Sequence, residues 1–163
     1  MTHTEIPALA RAAFAADLSC TPTITLRGGN AIDEYREPPA FDATLDAVTD
    51  GYLERFMWGV GHLDAPSWRH YLPSLIDYAL RHIGQASNVT DALLNSLRPP
   101  DREPPRLASL SPEQEVMVVR ALDALAFSEA SAHKELACQA LEEWWSPGAL
   151  YRPAAIPPTG DPR

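Results

Sequence analysis

Apolar residues recur along most of this chain at intervals of three and four, the period of helices with one buried face. Six stretches carry the pattern. The first, over 5–17, places Ile6, Leu9, Ala10, Ala13 and Phe14 on one stripe, behind Thr4 as N-cap and with Pro7 in the first turn. In the second, over 42–58, Phe41, Leu45, Val48, Tyr52 and Phe56 fall within a stripe roughly 80° wide at ~100° per residue, the shape of a core face. Gly51 weakens this helix, and Gly59 and Gly61 stop it. The third opens at Asp64-Ala65-Pro66-Ser67 and runs through Trp68, Tyr71, Leu72, Leu75, Ile76, Ala79 and Ile83. Pro73 inside it removes one backbone hydrogen bond, so a kink or a split is expected near Arg69-His70.

The fourth stretch covers 89–97, with Asn88 as its cap and Pro99-Pro100 as its end. Ser111-Pro112-Glu113-Gln114 is a capping box that starts the fifth, which buries Val118, Val119, Leu122, Leu125 and Ala126. After a break near Phe127-Ser128, the sixth uses Leu136, Ala137, Ala140, Leu141 and Trp144, and Ser146-Pro147-Gly148 ends it beyond Trp145. Trp144 continues the buried stripe, while Trp145 is either exposed or covered by Leu150-Tyr151.

Between these lie three pieces without helical period. Residues 18–40 read as a long connector: Gly28-Gly29-Asn30 as a turn, Thr23-Ile24-Thr25-Leu26 as a possible short strand without a pairing partner. Residues 99–106 are proline-rich and charged and read as an extended linker. Residues 151–163 read as a Pro-rich tail. The expectation is an all-α, irregular single-domain bundle of about six helices over 1–150, followed by that tail.

Charge narrows the choice of partner. A formal net charge of −9 on 163 residues disfavours nucleic acid and anionic membranes and favours a basic protein. Cys20 and Cys138 lie far apart in sequence and read as reduced thiols. Met1-Thr2-His3-Thr4-Glu5 lacks a basic start, and the apolar stretch behind it is broken by Arg11. Neither a signal peptide nor a membrane span fits, so the expected location is the cytoplasm.

Trp68-Arg69-His70-Tyr71-Leu72-Pro73, followed by Ala79-Leu80, resembles a YLP segment that recurs in a family of small bacterial proteins of unknown function. The stretch from Leu107 to Gln114, ending Ser-Pro-Glu-Gln, is similar to that family's second characteristic segment. The likeness spans about 41–126. It implies an all-helical bacterial domain and assigns no catalytic residue.

Few residues carry a chemical signature. His3, His62, His70, His82 and His133 form no metal-ligand spacing, so no metal or other cofactor is expected. There is no nucleophile motif, and Gly28-Gly29-Asn30 lacks the lysine of a phosphate loop. Arg69-His70 beside the Pro73 kink is the one enzyme-like spot, and it lacks a paired carboxylate or nucleophile.

What remains is acid. Asp33, Glu34, Glu37, Asp42, Asp46, Asp50 and Glu54, less Arg36 and Arg55, leave −5 in about a seventh of the chain. On the 42–58 helix Asp42, Asp46, Asp50 and Glu54 would centre about 140° from the apolar stripe, as an acidic ridge facing water. A solvated face kept for solubility accounts for the same charges. The functional expectation is a non-catalytic immunity protein that neutralises a cognate type VI or Rhs-type toxin. Its contacts would be Asp33, Glu34, Tyr35, Glu37, Asp42, Asp46, Asp50 and Glu54. The alternatives are an enzyme or ligand-binding protein using Arg69 and His70, and an adaptor that only mediates assembly.

Overall fold

A computed structural model describes residues 3–154. Among these residues all regular structure is helical and there is no strand: α1 Ile6–Ala13, α2 Ala15–Leu18, α3 Leu26–Asp33, α4 Asp50–Phe56, α5 Ala65–Arg81, α6 Asn88–Ser96, α7 Pro112–Phe127 and α8 Lys134–Ala140. A 3₁₀ segment, Met57–His62, continues α4, and a π turn, Leu141–Trp145, continues α8. The all-α expectation holds. Tail residues 155–163 lie outside the described residues.

The core is organised around α5. Asp64 caps it, accepting from the Ser67 N–H at 2.9 Å, and Pro66 sits in the first turn where its missing N–H costs nothing. Trp68, Tyr71, Leu72, Leu75, Ile76 and Ala79 are buried to 1% exposure or less, each large side chain contributing about 1.5–3 kcal/mol by leaving water. The helix packs on α1, α2, α6 and α7. Pro73 does not split it: α5 runs unbroken for 17 residues, with Pro73 buried. Trp68 ties it to α6 through Nε1–H, which donates to Ser96 Oγ at 3.1 Å.

The capping box of α7 is formed as the sequence indicates, Gln114 N–H to Ser111 Oγ and Ser111 N–H to Gln114 Oε1. The cap of α6 is Ser87, one residue before Asn88. The first helix breaks at Phe14, which is fully buried, so that α1 and α2 bend around it. Trp145 is buried and donates to the Leu97 carbonyl at 2.7 Å.

The largest departures lie between 18 and 58. Thr25 makes no strand; its Oγ1 accepts from the Gly28 N–H at 2.8 Å and caps α3. Gly28-Gly29-Asn30 is helix, not turn. The reason is contact: α3 crosses the 3₁₀ segment backbone to backbone, and a Cβ on Gly59 would lie 2.7 Å from Asn30 N and closer still to the Leu26 carbonyl. A Cβ on Gly29 would meet the Gly59 backbone in turn. Both glycines are therefore spacers between two elements, and Gly59 is not a helix stop.

Candidate functional site

The expected 42–58 helix exists only from Asp50, where Thr49 Oγ1 accepts from the Tyr52 N–H at 3.1 Å and starts α4. Residues 35–49 are an irregular segment, and its fixed point is Asp46. The carboxylate side chain is fully buried and accepts four hydrogen bonds: Arg27 Nε at 3.1 Å, Arg27 Nη2 at 2.9 Å, Tyr52 Oη at 2.8 Å and the Asp42 N–H at 2.9 Å. Burial alone would push this carboxyl up; the guanidinium, the backbone N–H and the phenol together outweigh it and hold the group below the ordinary carboxylate value. Arg27 Nη2 also donates to the Ala40 carbonyl at 3.2 Å. Asp42 Oδ1 accepts from the N–H groups of Thr44 and Leu45, both at 2.9 Å, which closes a local turn.

The consequence is an ordered loop turned inside out. Leu45 is 58% exposed, Phe41 and Val48 a little over 40%. These three were expected in the core and are on the surface. Upstream, α3 ends in a Schellman motif, with Arg36 N–H donating to the Ala31 carbonyl at 2.8 Å and Tyr35 N–H to that of Ile32 at 3.0 Å. The left-handed position of such a motif is usually glycine; here it is Tyr35, at φ +59° and 99% exposed. For an L-residue that conformation costs roughly 1–2 kcal/mol, and this side chain recovers none of it from packing.

The acidic ridge is not a ridge. Asp46 faces inward. Asp50 is forked by Arg81, with Nη2–Oδ1 at 2.7 Å and Nη1–Oδ2 at 2.9 Å, and His82 approaches it at 3.4 Å. Arg81, foremost, draws the Asp50 carboxyl down to about 2. Glu54 accepts from the Tyr78 hydroxyl at 2.9 Å, Asp33 meets His62 Nε2 at 3.0 Å, and Glu34 is bridged to Arg36. Glu37 and Asp42 are exposed and form no ion pair among the described residues, although the charge of Arg27 reaches Asp42. The carboxylates thus mostly serve the fold, and the idea of a continuous charged docking face is corrected accordingly. The structure does bring Tyr35, Glu37 and Asp42 onto one exposed stretch, where it adds Phe41, Leu45 and Val48.

Arg69 and His70 are engaged by α2. Arg69 Nε donates to Asp17 Oδ1 at 3.0 Å and His70 Nδ1 meets the Asp17 carbonyl at 3.0 Å, so both tie α2 to α5. Cys20 and Cys138 are free thiols, the first exposed and the second partly buried. Among the described residues no group of three or more His, Cys, Asp or Glu is placed to hold a metal ion, and no helix is long and apolar enough to cross a membrane.

With the helical fold and this loop in view, the comparison with protein families is direct: the model of a family of unknown function, DUF6714, matches residues 2–149. The chain belongs to that family. The match spans the helical bundle and the 35–49 loop alike, so both fall within the DUF6714 unit. No curated protein matches the chain, and no solved structure does.

Proposed function

We propose that this DUF6714 protein is a non-catalytic binding protein whose 35–48 loop docks a protein partner, and that the partner is a secreted bacterial toxin neutralised in the cytoplasm. The observation that carries the reading is Tyr35, a fully exposed aromatic held in a left-handed position that glycine would occupy at lower cost. Strain retained without an internal contact points to an external one. Phe41, Leu45 and Val48 supply apolar anchors on a loop that Asp46 holds in place before any partner arrives. Preorganisation of this kind lowers the ordering cost of association. Glu37 and Asp42, exposed and in no ion pair among the described residues, give the patch its sign and favour a partner with basic residues around an apolar centre.

The test is co-expression with the product of the neighbouring gene. Relief of that product's lethality is expected, together with loss of relief in a Tyr35→Ala/Leu45→Asp variant whose melting temperature is unchanged. Aromatic anchors of this type each contribute about 2 kcal/mol or more, so a double change should weaken binding by well over tenfold. Full protection by a correctly folded double variant refutes the loop as the contact.

A further inference from the structure

A second feature stands apart from the loop. A cleft of about 420 Å³, within the range of small-molecule sites, lies between the 3₁₀ segment and α6. Its walls include Met57 and Trp58, the latter 63% exposed, with Asn88, Asp91 and Asn95 from α6 and Arg106 from the linker before α7.

Arg106 is the unusual member. It is 8% exposed, and among the described residues no carboxylate pairs with it. The two oxygens of the neighbouring Asp101 are taken by the backbone N–H groups of Arg106, Leu107 and Ala108. Shortage of acid does not explain this, since the chain has 22 Asp and Glu against 13 Lys and Arg. A buried cation without a counter-ion is costly, and such groups are ordinarily paired. Its Nη1 donates to the Val60 carbonyl at 3.1 Å and its guanidinium lies 5.7 Å from the Trp68 ring. Nε and Nη2 make no hydrogen bond within the described residues, and they are not sealed away, because the enclosed side-chain atoms without a partner are Thr90 Oγ1 and Trp144 Nε1. Two nitrogens of the guanidinium fork are therefore without a protein partner in a side chain that lines a cleft with an aromatic wall.

We infer that this cleft binds a small organic monocarboxylate with an apolar body, its carboxylate on the Nε/Nη2 edge of Arg106 and its body against Trp58 and Met57. The planar fork matches a carboxylate in two parallel hydrogen bonds. A phosphate dianion fits less well than a single carboxylate charge, because Asp91, which meets His133 at 3.1 Å, already places a negative charge on the lining. Burial, and then the nearby Arg102, lower the Arg106 guanidinium to about 10, with the charge of Asp101 opposing them in part.

The probe is phenylacetate, added to the full ¹⁵N-labelled chain while the Arg106 Nε–H and Trp58 Nε1–H resonances are followed. Saturable movement of both is expected, with a Kd of about 1 mM or tighter, and binding of the isosteric phenylacetamide should be weaker by about tenfold. Trp58→Ala removes an exposed wall without touching the core, so it should weaken phenylacetate several-fold at unchanged melting temperature. Arg106→Lys keeps the charge, loses the fork and should lose about tenfold in affinity. Should that variant fail to fold, the acid–amide comparison on the native chain still decides. Equal binding of acid and amide overturns the inference, as does non-saturable movement up to about 20 mM phenylacetate. Displacement of phenylacetate by inorganic phosphate at equal or lower concentration overturns the monocarboxylate assignment.

Discussion

Replacing Asp46 by alanine tests whether one buried carboxylate holds the docking loop. The change deletes the acceptor of four hydrogen bonds and strands Arg27, the Tyr52 hydroxyl and the Asp42 N–H. Breaking a buried ion pair from one side costs about 3–5 kcal/mol when the partner stays desolvated. The Arg27 side chain retains 19% exposure and also holds the Ala40 carbonyl, so water can recover part of its charge. The expected loss is therefore about 2–4 kcal/mol, which for a chain of this size is a fall in melting temperature on the order of 5–15 °C. Asp46→Asn keeps the shape and an acceptor oxygen but loses the charge, and should fall between the two. The loop should respond more than the bundle. Amide exchange at 41–49 should accelerate in both variants at temperatures where α5 and α7 keep full protection. A melting temperature within about 1 °C of the parent, with unchanged exchange at 41–49, refutes the assignment of Asp46 as the pin.

Other consequences can be checked in the same way. Gly59→Ala forces a Cβ into the backbone of α3 and should cost 3 kcal/mol or more, on the order of other severe overpacking, read as a lowered urea midpoint; Gly51→Ala, with only a side-chain atom at 4.0 Å, should be neutral or stabilising. Tyr35→Gly should leave thermal stability unchanged or raise it by up to about 1 kcal/mol, because relief of the left-handed strain opposes the larger entropy of the unfolded chain, while weakening partner binding by more than about tenfold. Acid should unfold the protein through Asp46 and Asp50: both folded values are depressed, so their stabilisation is complete above the ordinary carboxyl value of 3.8 and is lost as pH falls below it, for Asp50 down to about 2. Melting temperatures between pH 6 and 2 should drop less steeply in that window for Asp50→Asn, and an identical slope would contradict the pairing with Arg81.

What the sequence disclosed about this fold was local. The cap of α5 at Asp64, the capping box of α7 and most of the apolar faces of both helices depend on residues three or four apart and formed as read, although Val119 is only half-buried, Ile83 lies past the end of α5, and Met117 and Ala121 take buried places on α7. What it concealed was long-range. Asp46 finds Arg27 nineteen residues away, Asp50 finds Arg81 thirty-one away and Asp17 finds Arg69 fifty-two away, so no window along the chain could tell a structural acid from a free one. Gly29 and Gly59 look like punctuation until α3 and the 3₁₀ segment are seen to touch. Arg106 reads as one charge in a linker, and only its burial and missing counter-ion distinguish it from the other arginines. The Schellman end at Tyr35 carried no signal, since tyrosine stands where glycine would announce it.

The failure of the 42–49 helix follows from the competition between two states of the same residues. As a helix, the segment would place Asp42, Asp46 and Asp50 at successive i, i+4 positions, each like-charge pair costing a few tenths of a kcal/mol. As a loop, it gives Asp46 a guanidinium, a phenol and a backbone N–H, and lets Thr49 cap a shorter α4. Charge-assisted hydrogen bonds of that kind contribute about 1.5–3 kcal/mol each, enough to reverse the preference. The side effect is that Phe41, Leu45 and Val48 stay partly in water, each forgoing roughly half of the 1.5–3 kcal/mol that full burial would return. The chain alone never recovers that energy. A partner whose surface covers these three side chains would, and it would do so on a loop whose geometry is already set by a pair it does not touch.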